Sequence, residues 1–448
     1  MNDLTPRSPE QPVAGSGAAS EAPVVLPTRQ PVNGLSRAFS SLRQRNFRLF
    51  WFGQMISLMG TYMQTIGQVW LVLELTHSPW QLGLVGALQA LPILLFSLFG
   101  GIFADRWPKR RVLLVTQSAA MLQALVLWLL IMTGTIQLWQ LYVLALLLGL
   151  TNSLGRPASR AFLVELVGRE DLPNAVALNS SLANMARIVG PGIAGVIIAA
   201  SSVTVLFLLN ALSFLPILLA LILIRSHELH AQATRPASAG GRRDTRQSLS
   251  EGVSYVWNTP AILLVIVVVG LALLFGSNFN VALPLFATDV LHAGASGFGF
   301  LSAAAGAGAL IAGFWLAWRN QQPAISSLLL GMLAFGTLEA VFAVSRFYLL
   351  SLALIASVGF MEEVFATQGL TMLQAIAPDH LRGRVMSVQV LFFDGSLPLG
   401  YLLLGWLSGQ YGAPGGLLIC AALTLLVVGA GWLWRKPAEQ NAAELAGT

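Results

Sequence analysis

Among the charged residues that interrupt long apolar stretches of this sequence, four are candidates for chemistry, because an isolated charge is unfavourable there. Arg187 lies about halfway through one stretch. The acids are Glu362 and Glu363, adjacent in a second stretch, and Asp394 in a third. Charged side chains inside membrane helices are rare and mark ion or substrate pathways unless they are permanently paired. We predict that Arg187 pairs with one of the three acids and that a change of pairing loads and releases a proton. A permanent structural salt bridge is the alternative.

A stripe of polar residues runs along the first apolar stretch. Spacings of three and four residues place its members on one face of a helix. We predict that this face lines an aqueous cavity, with hydrogen bonding between helices as the alternative. Two polar residues of other stretches, Asn184 and Thr367, are predicted to line the same cavity. The members of the stripe are Gln54, Ser57, Thr61, Gln64 and Gln68.

Neither nucleotide-driven nor metal-dependent chemistry is indicated. The sequence has no G-x-x-x-x-G-K-S/T phosphate loop. Its 5 histidines and single cysteine, Cys420, show no metal-ligand spacing. No Ser, His and Asp set is suggested by the local sequence. We therefore predict no catalytic residues, no metal and no cofactor, and a protein that is not an enzyme.

The composition predicts that most of the chain faces lipid. Hydrophobic residues make up 56% of the sequence and charged residues 10%, whereas soluble proteins carry about 25% charged residues. A bilayer core takes about 20 apolar residues per helix, and twelve such spans can be counted. They are residues 47–74, 81–104, 112–133, 138–159, 174–200, 203–224, 260–288, 297–318, 324–345, 347–373, 385–407 and 414–434.

The spans predict an all-α polytopic membrane protein with two pseudo-symmetric six-helix halves. Glu74 and His77 after span 1 recur as Asp289 and His292 after span 7, both at an offset of 215 residues. Two parallel halves place a substrate site between them near the middle of the membrane. The predicted segments are a disordered cytoplasmic tail at 1–40, an N-terminal half at 41–224, a cytoplasmic linker at 225–257, a C-terminal half at 258–436 and a cytoplasmic tail at 437–448.

The positive charges indicate an orientation. With a cytoplasmic N-terminus, all but two of the 25 Lys and Arg residues lie in cytoplasmic segments or at their edges. The exceptions are Arg187, inside a span, and Arg346, outside. This asymmetry follows the positive-inside rule and explains the net charge of +6 without nucleic acid binding. We predict a lipid bilayer as the surroundings and a cytoplasmic location for both termini.

The loop after span 2 carries a charged motif that resembles the loop signature of the major facilitator superfamily, G-x-x-x-D-R-x-G-R/K-R/K. Pro108 stands where that signature has glycine. The resemblance implies that Asp105 faces the N-terminus of span 11, near Leu381, when the cytoplasmic side closes. Positive-inside charge alone is the alternative for the basic residues. The residues of this predicted gating loop are Gly101, Asp105, Arg106, Lys109, Arg110 and Arg111.

Span 5 contains a cluster of glycine and proline residues, with Gly190, Pro191 and Gly195 as its main members. Proline removes a backbone hydrogen bond and kinks a helix, and glycine allows helices to approach closely. The cluster resembles the G-P-x-x-G-G signature of drug–proton antiporters, with Ala194 in place of one glycine. A kink that serves packing alone is the alternative.

Longer stretches, including LRQRNFRLFWFGQMISLMGTYMQ and APDHLRGRVMSV, resemble the enterobactin-exporter or transmembrane secretion effector subgroup of that superfamily. The resemblance implies a proton-coupled exporter of a small amphipathic drug, siderophore or metabolite, working as a monomer by alternating access in the bacterial inner membrane. It also places span 9, which contains Glu339, at the periphery. An uptake or lipid-moving permease and a non-transporting sensor or partner protein remain alternatives, because fold alone does not assign function.

Overall fold

The computed structural model describes residues 40–230, 245–319 and 323–446, without the side chains of 97–106, 245–250 and 442–446. This part of the chain is helical and contains no strand. The helices are α1 (Arg45–Thr76), α2 (Pro79–Arg106), α3 (Lys109–Met132), α4 (Leu138–Val167), α5 (Leu172–Ala200), α6 (Val203–Leu223), α7 (Thr245–Asn258), α8 (Pro260–Gly276), α9 (Phe279–Leu285), α10 (Gly294–Arg319), α11 (Ile325–Val344), α12 (Tyr348–Ile376) and α13 (Arg382–Ala446).

Twelve membrane spans can be recognised among the described residues, which confirms the predicted fold class. Ten segments, α8 and α9 counting as one, are long and apolar enough to cross a bilayer. α1 is not among them because its polar stripe lowers its hydropathy, yet its 32 residues exceed the length a bilayer requires. α13 counts once although Gly412, at φ 73° and ψ 165°, interrupts it between predicted spans 11 and 12.

The backbone carries the internal repeat that the sequence suggests. His77, at φ 48°, and His292, at φ 49°, are the non-glycine residues with positive φ in the described part of the chain. A left-handed conformation is uncommon for such residues. Each histidine follows the first span of its half, and 215 positions separate them. The two halves therefore leave their first span by the same backbone turn.

The halves meet along two pairs of helices, α2 with α13 and α5 with α10. Glycine makes both contacts close. A Cβ atom on Gly195 of α5 would lie 2.9 Å from the carbonyl oxygen of Ala295 in α10. A Cβ atom on Gly405 of α13 would lie 2.8 Å from the carbonyl oxygen of Pro79 in α2. Small residues of this kind allow membrane helices to pack backbone against backbone.

Two predicted boundaries differ from the structure. Span 4 was predicted to end at residue 159, whereas α4 continues to Val167. The residues after 159, Ala161 to Val167, are mostly apolar and continue the helical pattern. Arg160, which follows the predicted end of span 4, therefore lies on the same helix as Arg156. At the other end of the chain, α13 continues to Ala446, into the segment predicted as a tail.

The predicted linker is partly helical. It begins with a single turn, Ser226–Glu228, and ends with α7. Arg225 donates a 3.0 Å hydrogen bond to Glu228, and this bond holds the pKa of the Glu228 carboxyl below its ordinary value. Residues 231–244 of the linker, and the tail at 1–40 apart from Ser40, lie outside the described residues.

Candidate functional site

A cavity of about 650 Å³ lies between the two halves. Most of its N-terminal wall comes from α1, α4 and α5, and its C-terminal wall comes from the α8–α9 junction, α10, α12 and α13. Its volume is in the range of about 300–1,000 Å³ that small-molecule sites occupy. In membrane folds built from two repeats, substrate sites lie at the interface between the repeats.

The polar stripe of α1 divides between the cavity and the protein interior. Gln54, Ser57 and Thr61 line the cavity, and Ser57 donates to the side-chain oxygen of Gln117 at 3.3 Å. The structure corrects the prediction for Gln64 and Gln68, which are each 1% exposed and lie outside the cavity lining. A stripe with a period of 3.5 residues drifts by about 20° per heptad around a straight helix. Over two heptads the stripe therefore turns away from the cavity.

Gln64 takes part in a hydrogen-bonded cluster instead. Its Nε2 donates to Oε1 of Gln123 in α3 at 2.7 Å, and its Oε1 accepts a bond from Nδ2 of Asn210 in α6. Gln123 in turn donates to the carbonyl oxygen of Leu144 at 3.3 Å. Ser213 donates to Oδ1 of Asn210 at 3.1 Å. For Gln64, hydrogen bonding between helices is therefore what the structure shows, in place of the predicted position in the cavity lining.

Asn184 and Thr367 are also outside the residues that line the cavity, which corrects their predicted position. Asn184 is half-buried in α5. Thr367 donates to Oε1 of Glu363 at 3.1 Å, one helical turn away on α12. Thr367 therefore supports an acid of the charged cluster rather than the cavity wall.

The structure brings Arg187 of α5 beside the acids of α12. Its Nη1 lies 3.9 Å from Oε2 of Glu363, and both side chains are a little over one-third exposed. Glu362 accepts a hydrogen bond from Ser277 Oγ at the end of α8. Arg187 and Glu362 line the cavity, while Glu363 does not. The Arg187–Glu363 pair joins the two halves, as the sequence analysis anticipated for one of the acids, and its role in coupling stays a prediction.

Asp394 has different neighbours. Its electrostatic partners are Arg156 and Arg160 of α4, on the opposite half. Both arginines line the cavity. Arg156 lies in the last turn of predicted span 4 and Arg160 just beyond it, and neither is among the predicted site residues. Their spacing of four residues, followed by a continuing apolar pattern, was the available signal that they share one face of a helix.

Part of the predicted gating loop fixes the end of α6. Arg110 donates from Nε to the carbonyl oxygen of Leu221 at 2.6 Å and from Nη2 to that of Ile222 at 2.9 Å. Basic side chains commonly satisfy the free carbonyl groups at a helix C-terminus. Lys109 is buried and Arg111 is exposed at the start of α3. Pro108, at φ −56°, directly precedes α3, where its fixed φ is favourable.

The remaining members of that loop are not described in detail. The side chains of Gly101, Asp105 and Arg106 lie outside the described residues, although their backbone belongs to α2. The contact of Asp105 with the start of α13 therefore stays a prediction.

The glycine and proline cluster of α5 lies at helix contacts. A Cβ atom on Gly190 would lie 2.8 Å from Tyr62 Cβ in α1, and Gly195 faces α10. Pro191 lines the cavity. Close packing thus accounts for both glycines, and a role of the cluster in antiport stays a prediction.

A family model described as transmembrane secretion effector matches residues 36–447. The chain belongs to this family. It is 25% identical over 374 residues to the staphyloferrin A transporter of Staphylococcus aureus, covering 82% of this chain and 90% of the relative. It is 27% identical over 391 residues to the enterobactin exporter EntS of Shigella boydii and of Escherichia coli, covering 85% and 91%.

Solved structures share the fold. A bacterial homologue of the human lysosomal transporter Spinster, inward-facing and unoccupied, superimposes with a TM-score of 0.70 at 12% identity, covering 90% of this chain and 98% of the other. A bacterial homologue of the iron transporter ferroportin, also inward-facing, gives 0.66 at 16% identity, covering 88% and 99%. The chain is thus a multi-pass bacterial membrane transporter of the major facilitator fold, and not an enzyme.

Proposed function

We propose that this transporter exports a small amphipathic molecule with acidic groups, of the siderophore class, in exchange for protons. The observation that carries the proposal is the charge of the cavity wall. Arg156, Arg160 and Arg187 line the cavity, and Glu362 is the one acid among the described lining residues. Guanidinium groups bind carboxylates and similar anions through charge-assisted hydrogen bonds, often two at a time. The apolar part of the wall, which includes Ile93, Leu148 and Phe279, suits the body of an amphipathic molecule.

The relatives support the class of cargo and the direction. One is named as an enterobactin exporter, which supports both export and a siderophore. Another is named as a staphyloferrin A transporter, which supports a siderophore and leaves the direction open. Uptake by the same cavity is therefore the second candidate function.

The charged contacts between the halves supply a coupling device. The Arg187–Glu363 pair joins α5 to α12, and Asp394 of α13 faces the two arginines of α4. Rocking of one half against the other changes these separations. An acid that leaves its guanidinium partner loses the interaction that favours its ionised form. Proton binding by these acids therefore depends on how the two halves are arranged. The loop that contains Asp105 is proposed to close the cytoplasmic side of the cavity.

Transport into everted membrane vesicles tests the proposal. Vesicles from cells that express the protein would be given an acidic lumen and offered enterobactin, staphyloferrin A or ethidium. We expect the wild type to accumulate at least one siderophore, a protonophore to abolish accumulation, and the double variant Asp105→Asn, Glu363→Gln to show none. Accumulation in right-side-out vesicles instead would establish uptake. Absence of transport in both orientations, with the protein present in the membrane, would contradict the proposed function.

A further inference from the structure

One carboxyl group in the interior of the C-terminal half has no partner among the residues that the structure describes. Glu339 in α11 is 1% exposed, and neither carboxylate oxygen has a hydrogen-bond donor among the described residues. No described cation forms an ion pair with it. An ionised carboxylate without partners is highly unfavourable in apolar surroundings, so such a group takes up a proton and becomes neutral. Glu339 is therefore a neutral carboxylic acid in this state of the protein.

A second carboxyl group connects Glu339 with the cavity. Oε2 of Glu339 lies 3.2 Å from the position that a Cβ atom on Gly276 would occupy. The next residue, Ser277, donates to Oε1 of Glu362, while Oε2 of Glu362 has no described partner. Glu362 lines the cavity and interacts electrostatically with Glu339. The two carboxyl groups thus flank the break between α8 and α9, one inside and one at the cavity.

The N-terminal half contains no such acid at the equivalent place. At the repeat offset of 215, Gln123 corresponds to position 338, next to Glu339. Gln64, Gln123 and Asn210 satisfy each other with hydrogen bonds. The N-terminal half therefore contains a cluster of amides that are fully hydrogen-bonded. The C-terminal half contains a carboxyl group without a described hydrogen-bond donor. Only the second arrangement calls for a ligand.

We propose that Glu339 and Glu362 form a two-carboxyl proton site, in which Glu339 holds the transported proton and Glu362 passes it to and from the cavity. The proton moves from an oxygen of Glu339 to the carboxyl group of Glu362, and from that carboxyl group to cavity water, so only O–H bonds form and break. Because the cavity opens alternately to each side, one route serves loading and release. This inference rests on the proposed function and assigns its coupling ion to two carboxyl groups of the C-terminal half.

The groups around Glu339 and Glu362 indicate that the ligand of this site is a proton rather than a metal cation. On α13, Cys420 is the titratable neighbour of Glu339, and Tyr401 is a neighbour of Glu362. Across the interface, Arg187 acts on Glu362, as does Glu363 from the same helix. Hard metal cations require several oxygen ligands at once, whereas a proton requires a single lone pair. The unpartnered oxygens of Glu339 meet the second requirement.

Gradient-driven accumulation and exchange separate coupling from cargo binding. Everted vesicles containing Glu339→Gln would be compared with wild type for enterobactin accumulation driven by a pH gradient, and for exchange of labelled against unlabelled enterobactin without a gradient. We expect accumulation to fall at least tenfold and exchange to stay within twofold of wild type. The control is Thr424→Val, which alters a buried α13 hydroxyl bonded to the Cys420 carbonyl oxygen at 3.1 Å. It is expected to retain both activities.

Three outcomes would overturn the inference. Undiminished gradient-driven accumulation by Glu339→Gln would refute the proton site and leave the proposed function standing. Loss of wild-type accumulation when choline replaces sodium would show a sodium site. The third readout needs no variant: dicyclohexylcarbodiimide, which modifies neutral carboxyl groups in apolar surroundings, should label Glu339 in the folded wild type, and absence of the label would contradict a protonated Glu339. A wild type that accumulates no siderophore but carries this label would refute the function alone.

Discussion

The buried polar clusters of the two halves differ in hydrogen bonding, although the repeat offset of 215 places Gln123 only one position from Glu339. In the N-terminal half, the side-chain amides of Gln64, Gln123 and Asn210 have partners for every nitrogen and oxygen, with α3 and α6 held against α1. In the C-terminal half, the carboxyl oxygens of Glu339 have no hydrogen-bond partner in the described part of the chain. A fully satisfied buried network rigidifies the helices that contribute to it. A buried carboxylate without partners is stabilised when it binds a proton, because the unpaired charge is removed.

The cavity walls differ in a complementary way. The three arginines of the lining, Arg156, Arg160 and Arg187, belong to the N-terminal half, and Glu362 belongs to the C-terminal half. The comparison assigns the recognition of an acidic cargo to the N-terminal wall and the coupling proton to the C-terminal half. Four substitutions break or sharpen this division.

The largest effect is expected from Gln64→Leu, which leaves Gln123 and Asn210 with unpaired buried groups. Each such group costs about 1–3 kcal/mol, so the free energy of unfolding should fall by about 2–4 kcal/mol. Thermal unfolding in detergent measures the change. Gln68→Leu is the matched control, because the buried Gln68 amide has no described hydrogen bond to lose. Equal destabilisation by both variants would show that the cluster does not stabilise the half.

A smaller effect is expected from Arg160→Gln on cargo binding. Loss of one charge-assisted hydrogen bond, worth about 1.5 kcal/mol, should weaken enterobactin binding by about tenfold, as measured by quenching of tryptophan fluorescence. Binding of ethidium, a cation, should not weaken. Arg169→Gln, at an exposed position beyond the end of α4, serves as the control. A loss of proton coupling with unchanged enterobactin affinity would contradict the division between the two walls.

Glu339→Gln is expected to change the free energy of unfolding by less than about 1 kcal/mol, because no described hydrogen bond or ion pair is removed. This small change in the free energy of unfolding contrasts with the larger decrease expected for Gln64→Leu in the N-terminal half. Thermal unfolding of the two variants in the same detergent makes the comparison. If Glu339→Gln lowered the free energy of unfolding as much as Gln64→Leu, the carboxyl group would have a role in stabilising the fold.

The smallest effect on stability is expected from Glu363→Gln. The pair with Arg187 is long, at 3.9 Å, and partly exposed, so it should contribute about 0.5 kcal/mol or less. Gradient-driven siderophore accumulation should nevertheless fall at least fivefold, since the pair joins the moving halves. Thr367→Val removes only the hydroxyl that donates to Glu363. Its siderophore accumulation should lie between that of Glu363→Gln and that of the wild type. Full accumulation by Glu363→Gln would make the pair a static contact.

The location of charged residues shows how far sequence reasoning reached. The pairing of Arg187 with an acid of α12 could be anticipated, because few ions lie deep in the apolar stretches. The partners of Asp394 could not, because Arg156 and Arg160 lie on either side of the predicted end of span 4, whereas α4 continues to Val167. Of the polar stripe of α1, Gln54, Ser57 and Thr61 line the cavity, whereas Gln64 and Gln68 are buried outside it.

The sequence by itself determined the class of the protein and its division into two halves. In a bilayer every backbone polar group must be satisfied within the helix, so long apolar stretches can form only spans. The recurrence of Glu74 and His77 as Asp289 and His292 likewise marked the repeat. Only the tertiary structure decided which polar side chains have partners. Hydrogen bonds between spans join residues far apart in the chain, as Gln64 joins Asn210 across 146 positions, and no local pattern shows that Glu339 lacks one.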